Sequence, residues 1–452
     1  MRHPPADRPP TYAPTPRAAL LRIAHAAIAA VDPEAAVRAV VQSDAARLRL
    51  GSTSIAWRDL ARVFAIGAGK ASARMALALE QILGERLTGG CVVVKDGYGA
   101  PTARVDILEA GHPYPDERGQ RAVARILHTV SGTTERDLVV ACISGGGSAL
   151  TPAPPDGITL GELQIVTGLL LRSGATINQM NTVRKHLSVF HGGRLAEAVA
   201  PARLATLILS DVVGNPLDVI ASGPTVPDPS TFAAALAVLD SYGLRAQVPA
   251  PVRVRLEAGL AGRLPETPKP GDPRFARVTN LIVADNARAG GAAVAAAQAE
   301  GFTASFVTSY AQGEAREIAR LVAGTALDIR RNGRPLPSPG VAIFGGETTV
   351  TVRGRGKGGR NQELALAAAL VLEGVDGVAV FALATDGSDG PTDAAGAIVD
   401  GGTVARGRTA GLDAAQALRA NDAYPFLAAT GDLVRTGPTA TNVNDLYFAL
   451  AW

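Results

Sequence analysis

Residues 61–83 read ARVFAIGAGKASARMALALEQIL. A short apolar run, a glycine turn carrying one lysine and a continuation of strong helix formers make one β-turn-α unit. The pattern recurs in GCVVVKDG (90–97), VDILEAGH (105–112), DLVVACISGGGS (137–148) and RLATLILSDVVG (203–214), each an apolar run that stops at turn residues. Strands apolar on both faces and separated by helical stretches predict a largely parallel sheet covered by helices, because only a crossover helix can return the chain to lay the next strand alongside. This is an α/β arrangement.

The chain has 452 residues, of which 47% are hydrophobic and only 4% aromatic. That length exceeds one ordinary core, so two or more α/β domains are expected, filled by Ala, Val, Leu and Ile. The first 17 residues, MRHPPADRPPTYAPTPR, predict a proline-rich flexible tail. Residues 18–260 are expected to form an N-terminal domain and 261–452 a C-terminal one. The division is placed within the proline-dense stretch 247–275, QVPAPVRVRLEAGLAGRLPETPKPGDPRF. A second strand set follows it: TNLIVADN (279–286), FTASFVT (302–308), GVAIFGGE (340–347), an alternating TTVTVRG (348–354) and VAVFALATDGSDG (378–390).

Net charge is +3, with charges scattered and no long basic block, which argues against extensive nucleic-acid binding. No apolar run reaches about 18 residues and the start lacks the apolar core of a signal peptide, so a cytoplasmic protein without membrane segments is expected. Cys91 and Cys142 sit inside apolar strands and read as small buried residues. His112 and His186 lack zinc-ligand spacing.

Ligands of open parallel sheets bind beyond the carboxyl ends of the strands. Those positions carry GAGK (67–70), SGGGS (144–148), SDVVGN (210–215) and TDGSDG (385–390). Glycine turns leave backbone N–H groups able to cradle an anion, which makes Gly67, Gly69, Ser144, Gly145, Gly146, Gly147 and Ser148 candidates for nucleotide phosphate. Only five of the 44 basic residues are lysines (70, 95, 185, 269 and 357), so a lysine within a glycine turn is a deliberate choice. GAGKAS lacks Walker spacing, yet Lys70 can lie over transferring oxygens as a point charge. Asp211 and Asp386 follow apolar runs directly, where a carboxylate can hold Mg²⁺ or accept a hydroxyl proton. For Asp386 and Asp389 a helix cap or Asx turn competes equally. The basic loop TVRGRGKGGRNQEL (351–364) contains G-x-G-x-x-G at 354, 356 and 359, but follows an alternating strand and lacks the acidic residue that would read a ribose.

Taken together, these segments resemble the glycerate 2-kinase family with a C-terminal MOFRL domain, whose members are often labelled hydroxypyruvate reductases. The resemblance rests on GAGKAS, KDGYG, EAGHPYPDERG, ISGGGSAL, INQMNTVRKHLS, SDVVGNPLDVIASGPT, GGETTVTVRGRGKGGRNQE, ATDGSDGPTDAAGA and TGPTATNVNDL, in one order over nearly the whole chain after the tail. It implies ATP-dependent phosphorylation of D-glycerate at its 2-hydroxyl with Mg²⁺, a two-domain α/β fold with a Rossmann-like, largely parallel-sheet N-terminal domain and a smaller α/β C-terminal domain, and an active site in the interdomain cleft. The family's lysine, aspartate and arginine match Lys70, Asp211 and Arg360, which are the expected catalytic residues. Arg184 and Lys185 are candidates for the substrate carboxylate, Lys357 for nucleotide and Asp386 for the metal. Asn215 stands where many members would have an acid. A homodimer is left open. The rival readings are an NAD(P)H-dependent hydroxypyruvate reductase and an RGG-like nucleic-acid arm at 353–360; the arm is short and ordered-looking, against the long repeats such arms need.

Overall fold

The structure, a computed structural model, describes residues 15–452. The expected tail lies outside them except for its last three residues; Pro16 and Arg17 already begin a helix, Pro16–Ala29, capped by the Thr15 hydroxyl.

Two compact units are present. The first comprises Val31–Asn286 and Ala440–Val443; the second comprises the described residues up to Ala30, Ala287–Thr439 and Asn444–Trp452. Strands β1 (Val41–Ser43), β2 (Arg47–Leu50) and β3 (Thr53–Ala56) form a small antiparallel sheet in the first unit. Its main sheet contains β4 (Arg62–Ala68), β5 (Gly89–Lys95), β6 (Val105–Ala110), β7 (Asp137–Ile143), β8 (Arg203–Leu209) and β9 (Val278–Ala284). Their order is β6-β5-β4-β7-β8-β9 and every pairing is parallel. All seven residues of β7 are buried, as its unbroken apolar run requires of a central strand covered on both faces. The order reverses direction at β4 and β7, so the loops that leave these two strands diverge and open a crevice there.

The boundary expected at 260/261 is displaced to Asn286, because TNLIVADN supplies β9, which pairs with β8 and completes the first sheet. The proline-dense stretch is itself structured. It contains the helix Ala250–Leu260, whose Val252 and Leu256 are fully buried and whose Gly259 lies against the Phe232 ring, where a Cβ would come within 2.2 Å.

In the second unit, β10 (Thr303–Glu314), β11 (Gly340–Thr349), β12 (Val378–Ala384), β13 (Gly396–Asp400), β14 (Leu433–Val434) and β15 (Asp445–Ala451) lie in the order β10-β11-β15-β12-β13-β14. Only β10 and β11 are parallel. The separate alternating strand expected at 348–354 is absent: GVAIFGGETT is one strand, and residues 350–359 are irregular. Among the described residues no helix is long and apolar enough to cross a membrane. Cys91 and Cys142 are buried thiols whose pKa burial pushes up to about 12, leaving both inert at neutral pH.

Candidate functional site

The crevice at the switch point is built by two glycine loops locked together. After β4, the Lys70 amide donates to the Gly145 carbonyl (2.9 Å) and the Ala71 amide to the Ser144 hydroxyl (2.9 Å), which also meets the Ser72 hydroxyl at 3.1 Å. Ser144 therefore stitches the loops rather than offering its side chain to a ligand. Gly67 likewise serves packing: it lies within β4, and a Cβ there would fall 2.2 Å from the Cys142 carbonyl oxygen. Gly146 adopts φ +85°, which favours glycine, and faces both His112 and the Lys70 side chain. A Cβ on Gly145 would lie 1.9 Å from Asp211 Oδ2. The bare backbone of SGGGS thus lets Lys70, His112 and Asp211 converge on one loop. The amides of Gly145 and Gly146 donate to no described residue, and the Lys70 ammonium has no ion-pair or hydrogen-bond partner among them. Burial, reinforced by Lys70 and Lys95, pulls the His112 pKa down to about 4, so the imidazole is neutral beside the loop.

Beside this loop lies a pocket whose polar lining includes Ser148, Arg184, Ser188 and His191, with apolar walls such as Val166 and Met180. Arg184 arises from the helix Ile177–His186, which a Thr176–Gln179 capping box starts. Its Nη1 donates to Asn181 Oδ1 (3.0 Å) and Ser222 Oγ (3.3 Å), and Ser222 in turn meets Ser148 Oγ at 2.8 Å. No carboxylate pairs with Arg184 among the described residues, and burial lowers its pKa. A poorly solvated guanidinium without a counter-ion is a receptor for an anion. Lys185, the neighbouring candidate, is already taken: it points the other way, buried against Asp228 (3.3 Å) and Asp218 (3.5 Å).

The remaining candidates belong to the second unit. Arg360 opens the helix Arg360–Leu372; its Nε and Nη2 bind the two oxygens of Asp445 at 2.6 and 3.1 Å, and its Nη1 reaches Glu347 at 2.6 Å. Asp389 caps the same helix from a distant loop, accepting from the amides of Asn361 and Gln362 at 3.1 and 2.8 Å. The basic loop has a packing role that its glycines explain. Gly354 and Gly356 abut the Ala420 carbonyl and Asp422, where Cβ atoms would fall 2.0 and 2.4 Å away. Asn421 Oδ1 accepts from the amides of Arg353 and Gly354. The G-x-G-x-x-G match is therefore not a dinucleotide turn. Lys357 lies over the Tyr424 ring at 4.4 Å. Asp386 folds into an Asx turn on the Ser388 amide (3.0 Å), and no cluster of three His, Cys, Asp or Glu suited to a metal occurs among the described residues.

A family described as a domain of unknown function (DUF4147) matches residues 19–257, and the MOFRL family matches residues 340–445. The chain is 45% identical to a D-glycerate 2-kinase of Thermotoga maritima, over 87% of this chain and 91% of that one. It is 43% identical to a glycerate 2-kinase of Pyrococcus horikoshii, over 95% and 96%. The chain belongs to the glycerate 2-kinase family. A crystal structure of a Thermotoga maritima glycerate kinase superposes with a TM-score of 0.86, covering 97% of this chain and all of that one at 42% identity. A relative from Agrobacterium vitis, 44% identical, is provisionally named a hydroxypyruvate reductase, the second label that accompanies glycerate 2-kinase sequences.

Within this glycerate 2-kinase scaffold, several residues around the candidates were not singled out by spacing. His112 was weighed only as a metal ligand. Asn181, Ser222 and His191 carry no local signal: His191 lines the pocket through tertiary packing, and Asn181 and Ser222 act there only by holding Arg184. His191 is buried between Ser188 Oγ (2.8 Å) and Thr151 Oγ1 (2.9 Å), and burial together with Arg184 and Lys185 drives its pKa down to about 3. Asp445 and Asn442 lie in TGPTATNVNDL, a stretch that marked the family without disclosing which residues act.

Proposed function

We propose that the protein transfers the γ-phosphoryl group of ATP to the 2-hydroxyl of D-glycerate, giving 2-phosphoglycerate and ADP. One observation carries this reading: Lys70, two unengaged glycine amides and Asp211 meet at the carboxyl ends of adjacent parallel strands, next to a pocket bearing an unpaired arginine. Phosphoryl transfer asks for positioned reactants and cations over the transferring oxygens, with little covalent work by the protein.

In this reading Arg184 receives the glycerate carboxylate and Asp211 accepts the proton of the 2-hydroxyl as its oxygen bonds to the γ-phosphorus. The bond from that phosphorus to the β–γ bridging oxygen breaks, and ADP leaves. Lys70 and the Gly145 and Gly146 amides face the charge on the equatorial oxygens. Arg360, anchored by Asp445 in the second unit, is the arginine that the family resemblance assigns to catalysis; an arginine that stabilises the transferring group is typically worth roughly 10³ to 10⁵ in rate. Asp386 Oδ1 is engaged in its own turn, and among the described residues no group of three His, Cys, Asp or Glu suited to a metal includes it. Mg²⁺ enters as the MgATP substrate, and no step is routed through a protein-bound metal.

Phosphorus NMR of a reaction with MgATP and D-glycerate tests the reading. A 2-phosphoglycerate resonance is expected. Exclusive formation of the 3-phosphate, or no glycerate-dependent ADP release, would overturn it, and NADH oxidation with hydroxypyruvate would instead favour the reductase.

A further inference from the structure

The stretch TATNVND (439–445) makes an excursion. Residues 440–443 belong to the first unit, while the chain before and after them belongs to the second. Ala440 (φ +61°) and Asn444 (φ +67°) bracket the excursion in left-handed conformations that non-glycine residues rarely adopt, each costing on the order of 1 kcal/mol or more. Such strain persists only where surroundings over-determine it. Here the surroundings are specific: Thr441 Oγ1 donates to the Val31 carbonyl at 2.7 Å, Asn286 Nδ2 donates to the Val443 carbonyl at 2.8 Å, and Val443 is fully buried. What this anchoring delivers is Asn442, whose Nδ2 donates to Asp211 Oδ2 at 3.1 Å from 231 positions away.

We infer that Asn442 is a positioning residue for Asp211. The inference rests on Asp211 being the group that takes the hydroxyl proton. Oδ2 is confined between the Gly145 backbone and the Asn442 amide, which fixes the plane of the carboxylate and so the direction of Oδ1. A proton acceptor must be aligned before transfer, and a misplacement of about 1 Å can cost roughly 100-fold. The two strained residues hold the amide donor in register against that carboxylate.

Steady-state kinetics on Asn442→Ala, Asn442→Asp, Asp211→Asn and the Asn442→Ala/Asp211→Asn pair test this. Asn442→Ala is expected to lower kcat by about 10- to 100-fold with both KM values within about threefold, since the substrates are bound elsewhere. Asn442→Asp keeps the shape but replaces the donor, and should be at least as slow. In the Asp211→Asn background the alanine change should cost nothing more. A folded Asn442→Ala enzyme with wild-type kcat beside an inactive Asp211→Asn enzyme overturns the inference alone, as does a further loss in the double variant. An active Asp211→Asn enzyme overturns the underlying reading instead. Should the alanine variant not fold, Asn442→Ser, judged by the same kcat criterion, takes its place.

Discussion

Asp445 grips Arg360 at two points, with Nε to Oδ2 at 2.6 Å and Nη2 to Oδ1 at 3.1 Å. The Asn361 amide and the Tyr447 hydroxyl donate to the same carboxylate at 3.0 and 3.2 Å. Burial pushes the Asp445 carboxyl up to about 6, against the pull of Arg360. The planar fork of an arginine matches this carboxylate, and a lysine would not. Arg360→Lys is expected to lower kcat at least 100-fold. Asp445→Asn, which leaves the arginine but removes its anchor, should lower kcat about 10-fold or more. Initial rates at saturating MgATP and glycerate check both; wild-type turnover in Arg360→Lys would remove Arg360 from the proposed chemistry.

Gly145→Ala places a methyl group where Asp211 Oδ2 now sits, at 1.9 Å. The carboxylate must swing aside, so kcat should fall about 100-fold while the melting temperature drops by only a few degrees. Parallel rate and thermal-melt measurements separate this outcome from simple unfolding.

Arg184→Gln removes a guanidinium that has no carboxylate partner among the described residues. A charge-assisted hydrogen bond contributes about 1.5–3 kcal/mol, so KM for glycerate should rise roughly 10- to 100-fold. KM for MgATP should stay near its original value. A variant with both constants unchanged would place the substrate carboxylate elsewhere.

His191 gives the fold an acid-sensitive element. Its pKa is depressed from 6.5 to about 3 by burial and by Arg184 and Lys185. The unfolded chain binds the proton first, so this stability is present above pH 6.5 and is lost as pH falls toward 3. At pH 4.5 the loss from this group is about 2–3 kcal/mol, at 1.36 kcal/mol per unit. His191→Gln should be less stable at pH 7 but flatter with pH, so urea unfolding at pH 7.0 and 4.5 should show the gap to wild type narrowing.

The parallel sheet was legible because β4, β5, β7 and β8 are continuous apolar runs that end in turn residues, and burial on both faces leaves no other pattern. Lys70 and Asp211 were legible for the same reason, as residues immediately beyond those runs. The domain boundary was not. Prolines in 247–275 resemble a linker locally, and only the pairing of β9 with β8 shows that the sheet continues past them. The basic loop misled in a related way: its glycines accommodate Ala420 and Asp422, neighbours some 65 residues later that no window of sequence contains. Lys185 and Arg184 are adjacent and alike in charge, yet helix geometry sends one to Asp228 and the other to the pocket.

The place of β15 in the second sheet, between β11 and β12, has a bearing on synthesis. The first unit's sheet is complete once Ala284 has left the ribosome, whereas the central strand of the second is the last of its sheet's six strands to be made. Until it emerges, β11 and β12 each present an open edge of unpaired amides and carbonyls, the template on which nascent chains aggregate. A chain that stops before Asp445 has two half-sheets with no strand to join them.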